Sequence, residues 1–232
     1  MLHYDPRACL PSAAELPDSD DTPVDNELQN LIPNLLGAIL GWVWAERTDW
    51  FFGVDMGIYY AAGEPPLVPD GFLSLGVERF VNGSEGRLSY VLWEENGIPP
   101  IFVLEVVSRT YGGEYERKKT DYAKLGILYY AIYVPSRRYW RNRPSLEIYR
   151  LVNGVYELQG EHLWMPEVGL ALGKENGIHL GWEREWLYWY DSQGQRLPTP
   201  EELAKVALQE RERANRLAER LRALGVDPAD LD

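Results

Sequence analysis

Apolar positions in the middle of the chain come in short runs punctuated by glycine and proline. Ile101 to Val107 is one such run, the length of a single strand and interrupted only by Glu105. Alternation puts Ile101, Val103, Glu105 and Val107 on one face and Phe102, Leu104 and Val106 on the other. Gly112 and Gly113 break the strand. Glu114 to Leu125 then has helical composition, with Gly126 placed for the left-handed residue after a helix. A second apolar run, Ile127 to Val134, ends at Pro135. Strand, helix, strand predicts a βαβ unit with a right-handed crossover. On its helix Tyr115, Lys118, Tyr122 and Leu125 share the sheet-facing side, whereas Lys119 lies about a hundred degrees round and is expected to face solvent.

The flanking pattern fills in an α+β fold, a mixed β-sheet core flanked by helices with additional β-hairpins. Residues 1–24, with several prolines and the acids Glu15, Asp18, Asp20 and Asp21, read as an extended arm. Leu28 to Val43 keeps the spacing of an amphipathic helix capped by Asp25 or Asn26, with Pro33 expected to kink or break it. Trp50 to Tyr60 alternates as one strand, in which Asp55 stands between Gly53 and Gly57, a gap suited to a ligand, another backbone or a bulge. Leu67 to Leu73 predicts a short strand carrying Asp70. Arg87 to Glu94 and Ile101 to Val107 read as a hairpin, as do the runs either side of Asn153-Gly154. Further strands are expected near Trp164, Leu170 and Leu180 and over Trp186 to Tyr190. Thr199-Pro200-Glu201-Glu202 starts a C-terminal helix whose heptad seam runs through Leu203, Ala207, Glu210, Ala214, Leu217, Leu221 and Leu224 to a stop at Gly225 and Pro228. The expected domains are the arm, a core over 25–197 and this helix over 198–232, free to pack on its own domain or to pair in a homodimer.

Composition narrows the function classes. Nine Trp and fifteen Tyr in 232 residues favour a β-rich fold over a helical bundle. A formal net charge of −13 opposes general binding to nucleic acid or an anionic membrane. The single cysteine, Cys9, excludes an internal disulfide and fits a reducing cytoplasm. No run reaches membrane-spanning length, and the first residues lack the basic and apolar regions of a signal peptide, so a cytoplasmic protein is expected. His3, His162 and His179 are too scattered for a zinc site, and no glycine-rich nucleotide motif is present.

The chemistry lies in the acids. A carboxylate on a buried strand needs a charged partner or a metal, because unpaired burial costs several kcal/mol. Lys118 on the following helix can reach Glu105, or snorkel past the two tyrosines to water. Asp70, between Pro69 and Gly71, reads equally as a turn residue. Glu27 borders the buried stripe of the first helix, where an acid also suits the helix dipole. Two strand-borne acids with a lysine behind them are what a metal-dependent phosphodiester hydrolase requires. Carboxylates hold Mg²⁺ while leaving positions for water and phosphate, and a lysine orients the attacking water or stabilises the developing charge. Arg137, Arg138, Arg141 and Arg143, interleaved with Tyr139 and Trp140, form the only concentrated basic stretch, either paired with acids or able to contact a DNA backbone.

At these residues the chain resembles the PD-(D/E)XK nuclease superfamily and, within it, the Uma-type restriction endonuclease family, once a domain of unknown function. The resemblance rests on Pro69-Asp70, on Leu104-Glu105-Val106-Val107-Ser108, on Lys118 with Tyr122 four residues later, and on Gly126 before Tyr129-Tyr130. It covers roughly residues 25 to 190. It implies a restriction-endonuclease-like fold, DNA as substrate, Mg²⁺ or Mn²⁺ bound by Asp70 and Glu105, Lys118 as the catalytic lysine, and Glu27 as the acid of the first helix. The superfamily lysine normally stands two residues after the second acid, where this chain has Val107; the resemblance implies its migration to Lys118. A nuclease fold serving only binding or dimerisation, and a carbohydrate-active β protein with paired carboxylates, are the competing readings.

Overall fold

A computed structural model describes residues 10–17, 26–81, 83, 86–107, 113–135 and 143–224. A 3-10 turn at Ala13–Glu15 precedes α1 (Glu27–Val43), β1 (Trp50–Val54), β2 (Ile58–Tyr59), β3 (Gly71–Leu75), β4 (Tyr90–Val91) and β5 (Phe102–Val106). There follow α2 (Arg117–Lys124), β6 (Tyr129–Tyr133), β7 (Leu146–Val152), β8 (Val155–Gly160), β9 (Leu163–Met165), β10 (Leu170–His179), β11 (Trp182–Tyr190) and α3 (Pro200–Ala223). The main sheet has six strands in the order β1-β3-β5-β6-β7-β8. β5 and β6 run parallel with α2 as their crossover, and the other neighbours are antiparallel. Mixed sheet and helices make an α+β fold.

Two apolar layers cover the main sheet. On one face Phe102, Leu104, Val106, Ala131, Tyr133 and Ile148 pack with α1 and with the three-stranded sheet β11-β10-β9. Trp189 of β11 stacks edge-on against Phe102 at 5.5 Å and donates its indole N–H to the Leu36 carbonyl of α1 at 3.1 Å. The opposite face gathers Val103, Val107, Tyr130, Ile132 and Tyr149 with Tyr122 of α2. Strand parity thus sends Glu105 toward α2, away from the larger core.

Several expectations shift. Asn26 caps α1 by accepting from Leu28 N–H at 2.9 Å, and the helix continues through Pro33; Asp25 lies outside the described residues. The single strand expected over Trp50–Tyr60 breaks at Asp55, whose φ of 49° turns the chain out of β1. The space above Gly53 is filled by the Phe72 ring, which would stand 2.3 Å from a Cβ there, so that gap is taken by the protein itself. The hairpin expected before β5 does not form. β4 pairs in parallel with β2, and β5 inserts between β3 and β6. Local turn chemistry at Asn96-Gly97 is present, with φ of 56° and 75°, but long-range pairing overrides its hairpin signal. Strands do flank Leu180, which itself sits at φ 50° in the turn between β10 and β11. Asn153-Gly154 does form its hairpin, between β7 and β8. Part of the expected arm is docked: Ala13 N–H donates to Glu94 at 2.9 Å and the Trp93 indole donates to the Pro11 carbonyl at 2.8 Å. The Thr199 capping box starts α3, of which no residue is buried; its expected stop at Gly225 and Pro228 lies outside the described residues. Among the described residues no helix is long and apolar enough to cross a membrane.

Candidate active site

The ends of β3 and β5 create the site. The last residue pairing of these strands is Gly71 with Leu104, so Asp70 and Glu105 stand opposite each other one step further on. Val107 N–H donates to Tyr133 of β6, so the preceding amide of Val106 points the other way, toward the place β3 has vacated. Asp70 Oδ2 accepts that amide at 2.6 Å. Gly71 is required beside it because a Cβ there would meet the Cβ of Pro33 at 2.8 Å, which lets α1 press against the strand start.

Glu105 is fully buried, and each of its oxygens accepts one hydrogen bond. Lys118 Nζ donates to its Oε2 at 2.8 Å, and the Tyr122 hydroxyl donates to its Oε1 at 2.5 Å. Both donors lie on α2, four residues apart and so on one helix face. The Lys118 side chain is 29% exposed, whereas that of its partner Glu105 is 2% exposed. Gly126, at φ 75°, closes α2 and delivers the chain into β6.

The electrostatics are those of a site short of positive charge. Burial, then the Glu105 carboxylate, pushes the Asp70 carboxyl up to about 8, against the Val106 hydrogen bond and Lys118, which act downward. Burial also raises the Glu105 carboxyl, with Lys118 and Tyr122 opposing. For Lys118 burial acts to release its proton, but the attraction of Glu105 and Asp70 outweighs it and the ammonium is held above its ordinary range. Two carboxylates therefore share one ammonium in a desolvated setting. This donor set fits a divalent cation of the hard, oxygen-preferring kind, whose charge would offset the burial and the Glu105 repulsion that raise the Asp70 carboxyl. Among the described residues no group of three or more acidic, histidine or cysteine side chains clusters as a ready cage, so Asp70 and Glu105 are the pair that would hold the ion, with water and substrate completing its shell.

The other sequence candidates lie apart. Glu27 is exposed in the first turn of α1, the helix on the far face of the sheet from α2. Arg143 stands just before β7, 3.4 Å from Glu147 and with its guanidinium 3.9 Å over the Tyr115 ring. Arg137, Arg138 and Arg141, with Tyr139 and Trp140, lie outside the described residues. Asp55 contributes through charge, adding to the upward pressure on Asp70, while its N–H donates to the Asp70 carbonyl at 3.2 Å. Lys119, expected in solvent, instead rests with its ammonium 3.6 Å over the Tyr149 ring, because α2 lies between β5 on one side and the β7-β8 hairpin on the other. Sequence reasoning missed Glu147, buried on β7. A second acid at an inward strand position was its only signal, and the register that makes it inward is nonlocal.

No curated protein matches the chain. Among solved structures, a protein titled a putative nuclease belonging to DUF820 from Anabaena variabilis ATCC 29413 is similar over 59% of this chain and 69% of its own, at 14% identity and a TM-score of 0.42. Residues 21–180, which hold Asp70, Glu105 and Lys118, match the family described as "Uma2: Putative restriction endonuclease". With most of its length inside that match, the chain belongs to the Uma2 family.

Proposed function

We propose that the protein is a metal-dependent DNA endonuclease that hydrolyses phosphodiester bonds at Asp70, Glu105 and Lys118. The observation that carries this reading is the meeting of two desolvated, mutually repelling acids with one partly exposed lysine at the ends of two strands. Asp70 and Glu105 hold Mg²⁺ or Mn²⁺, which when bound lowers the pKa of its water and neutralises charge building on the phosphate. The Val106 amide fixes Asp70, and the Tyr122 hydroxyl fixes Glu105, so neither carboxylate must reorganise to bind. Lys118 exchanges its hold on Glu105 for the attacking water or a nonbridging phosphate oxygen, donating a hydrogen bond to either. Glu27 enters the reading as an outer acid, on the helix that touches the site through Pro33 and Gly71. Arg137, Arg138, Arg141 and Arg143 carry the DNA backbone, a locally basic stretch of sequence being compatible with a net charge of −13 because salt screens charges beyond about 10 Å at 0.1 M.

The decisive experiment incubates single-stranded, duplex and branched DNA with the protein, with and without Mg²⁺ or Mn²⁺. Metal-dependent cleavage by the wild type, lost in Asp70→Asn and Glu105→Gln, is expected; metal-independent or absent cleavage on all three substrates sinks the reading. One observation favours a second role beside it: no residue of α3 is buried, and Leu217 and Leu224 of its seam are 51% and 78% exposed, which suits a homodimer joined through that helix. Light scattering on the whole chain and on a chain ending at Leu197 distinguishes the two states.

A further inference from the structure

The α2 face of the sheet carries a second buried carboxylate. Glu105 pairs in register with Ile132 of β6, and Ile132 with Glu147 of β7, so the two glutamates lie on one transverse row two strands apart. That separation is about 10 Å. Glu147 is 4% exposed, and the Tyr149 hydroxyl donates to its Oε2.

Around Glu147 the charge balance is reversed. Arg143 approaches its Oε1 at a long 3.4 Å, keeps 45% of its side chain exposed and so has donors to spare. Lys119 places its ammonium on the Tyr149 ring, and among the described residues no carboxylate accepts a hydrogen bond from it. Burial lowers the Lys119 ammonium, the Glu147 carboxylate opposes it, and the repulsion of Arg143 adds a smaller downward push. Two cations thus face one buried carboxylate, beside a groove between α2 and the β7-β8 turn whose lining includes Tyr115, Lys119, Lys124, Val155, Tyr156 and one exposed acid, Glu116. What completes such a cluster is an anion presented from outside.

We propose that Lys119 and Arg143 form a second phosphate site, which holds a backbone phosphate one or two nucleotides from the scissile one. The site rests on the nuclease reading above and adds to it a reason for the position of Lys119. Glu147 is its positioning residue: it orients Arg143 and competes with the incoming phosphate, so the site stays weak until the substrate is also held at Asp70 and Glu105. The ligand is a phosphodiester of the same strand, and its affinity comes from charge rather than base identity.

The test measures binding of a short single-stranded oligodeoxynucleotide against salt, in Ca²⁺, for wild type, Lys119→Gln, Arg143→Gln and Glu147→Gln, with thermal melts to confirm folding. Lys119→Gln and Arg143→Gln are each expected to weaken binding by about tenfold. Each should also flatten the salt slope by about 0.7. Glu147→Gln is expected to tighten binding, since the amide still accepts from Tyr149 but no longer competes for the cations. Lys119→Gln and Arg143→Gln proteins that bind with wild-type affinity and slope overturn the second site and leave the nuclease reading standing. A wild type that does not bind the oligonucleotide overturns the second site; the nuclease reading falls only if single-stranded, duplex and branched DNA all go uncut.

Discussion

Glu105 and Glu147 are the same local solution placed in opposite charge fields. Each is a buried glutamate on the α2 face, each accepts a hydrogen bond from a tyrosine, and each meets a basic side chain. They differ in what stands next to them. Glu105 faces Asp70 with one lysine between two acids, whereas Glu147 has an arginine and a lysine to itself. The first arrangement leaves negative charge to be neutralised, and the second leaves positive charge. A buried acid is therefore not informative by itself; the balance of charge within a few ångströms decides whether the place suits a cation, an anion or neither.

The sharpest way to break the comparison is to remove the cation at each pole. Lys118→Ala leaves Glu105 buried with only Tyr122, and it is expected to lower stability by about 2–3 kcal/mol and to abolish cleavage. Arg143→Ala, at a pair that is 45% exposed on the arginine side, should cost no more than about 1 kcal/mol. Urea melts of both variants check this, and equal losses would mean that the two poles are alike.

The next effect concerns Asp70, whose folded carboxyl titrates near 8, above its unfolded value. Between those two values the folded chain binds more protons than the unfolded one, so this group's contribution to stability falls as pH rises and is gone above about 8. Asp70→Asn keeps an acceptor for the Val106 amide and should stabilise the metal-free protein at pH 8 by a few kcal/mol, with little change near pH 4. Mg²⁺ should raise the melting temperature of wild type but not of the variant. Thermal melts across pH with and without Mg²⁺ read both signs; an equal metal response in the variant removes Asp70 from the metal pair.

Tyr122→Phe and Tyr149→Phe sharpen the likeness instead. Each deletes one donor to a buried carboxylate and should cost about 1–3 kcal/mol by urea unfolding, with cleavage impaired more by Tyr122→Phe if its partner Glu105 holds the metal as proposed. Smallest of all is Glu27→Gln, at an exposed first-turn position, which should shift stability by no more than about 0.5 kcal/mol through the helix dipole. If it lowers cleavage without moving the melt, Glu27 acts at the site; if it moves neither, Glu27 is a dipole residue.

Where sequence reasoning succeeded, the governing contacts were near in the chain. The βαβ unit, the Asn26 and Thr199 caps, the Asn153-Gly154 hairpin and the face of α2 that carries Lys118 and Tyr122 all follow from periods of two and 3.6 residues and from turn chemistry. Alternation alone also placed Glu105 away from Leu104 and Val106. Where it failed, a distant segment intervened. β4 answers to β2 rather than to β5, the alternation over Trp50–Tyr60 hides the turn at Asp55, and Lys119 is drawn onto Tyr149 by a hairpin that begins some thirty residues later.

By itself, then, the chain determined its strands and helices, the inward parity of Glu105 and the helix face of Lys118, because each depends on residues a few positions away. Only the tertiary structure decided that Asp70 caps the amide of Val106 opposite Glu105, and that Glu147 comes into register with Glu105 through Ile132. Those meetings depend on which strand ends where against a neighbour dozens of residues distant. Strand order and register are settled by the burial of whole faces, and no local pattern encodes them.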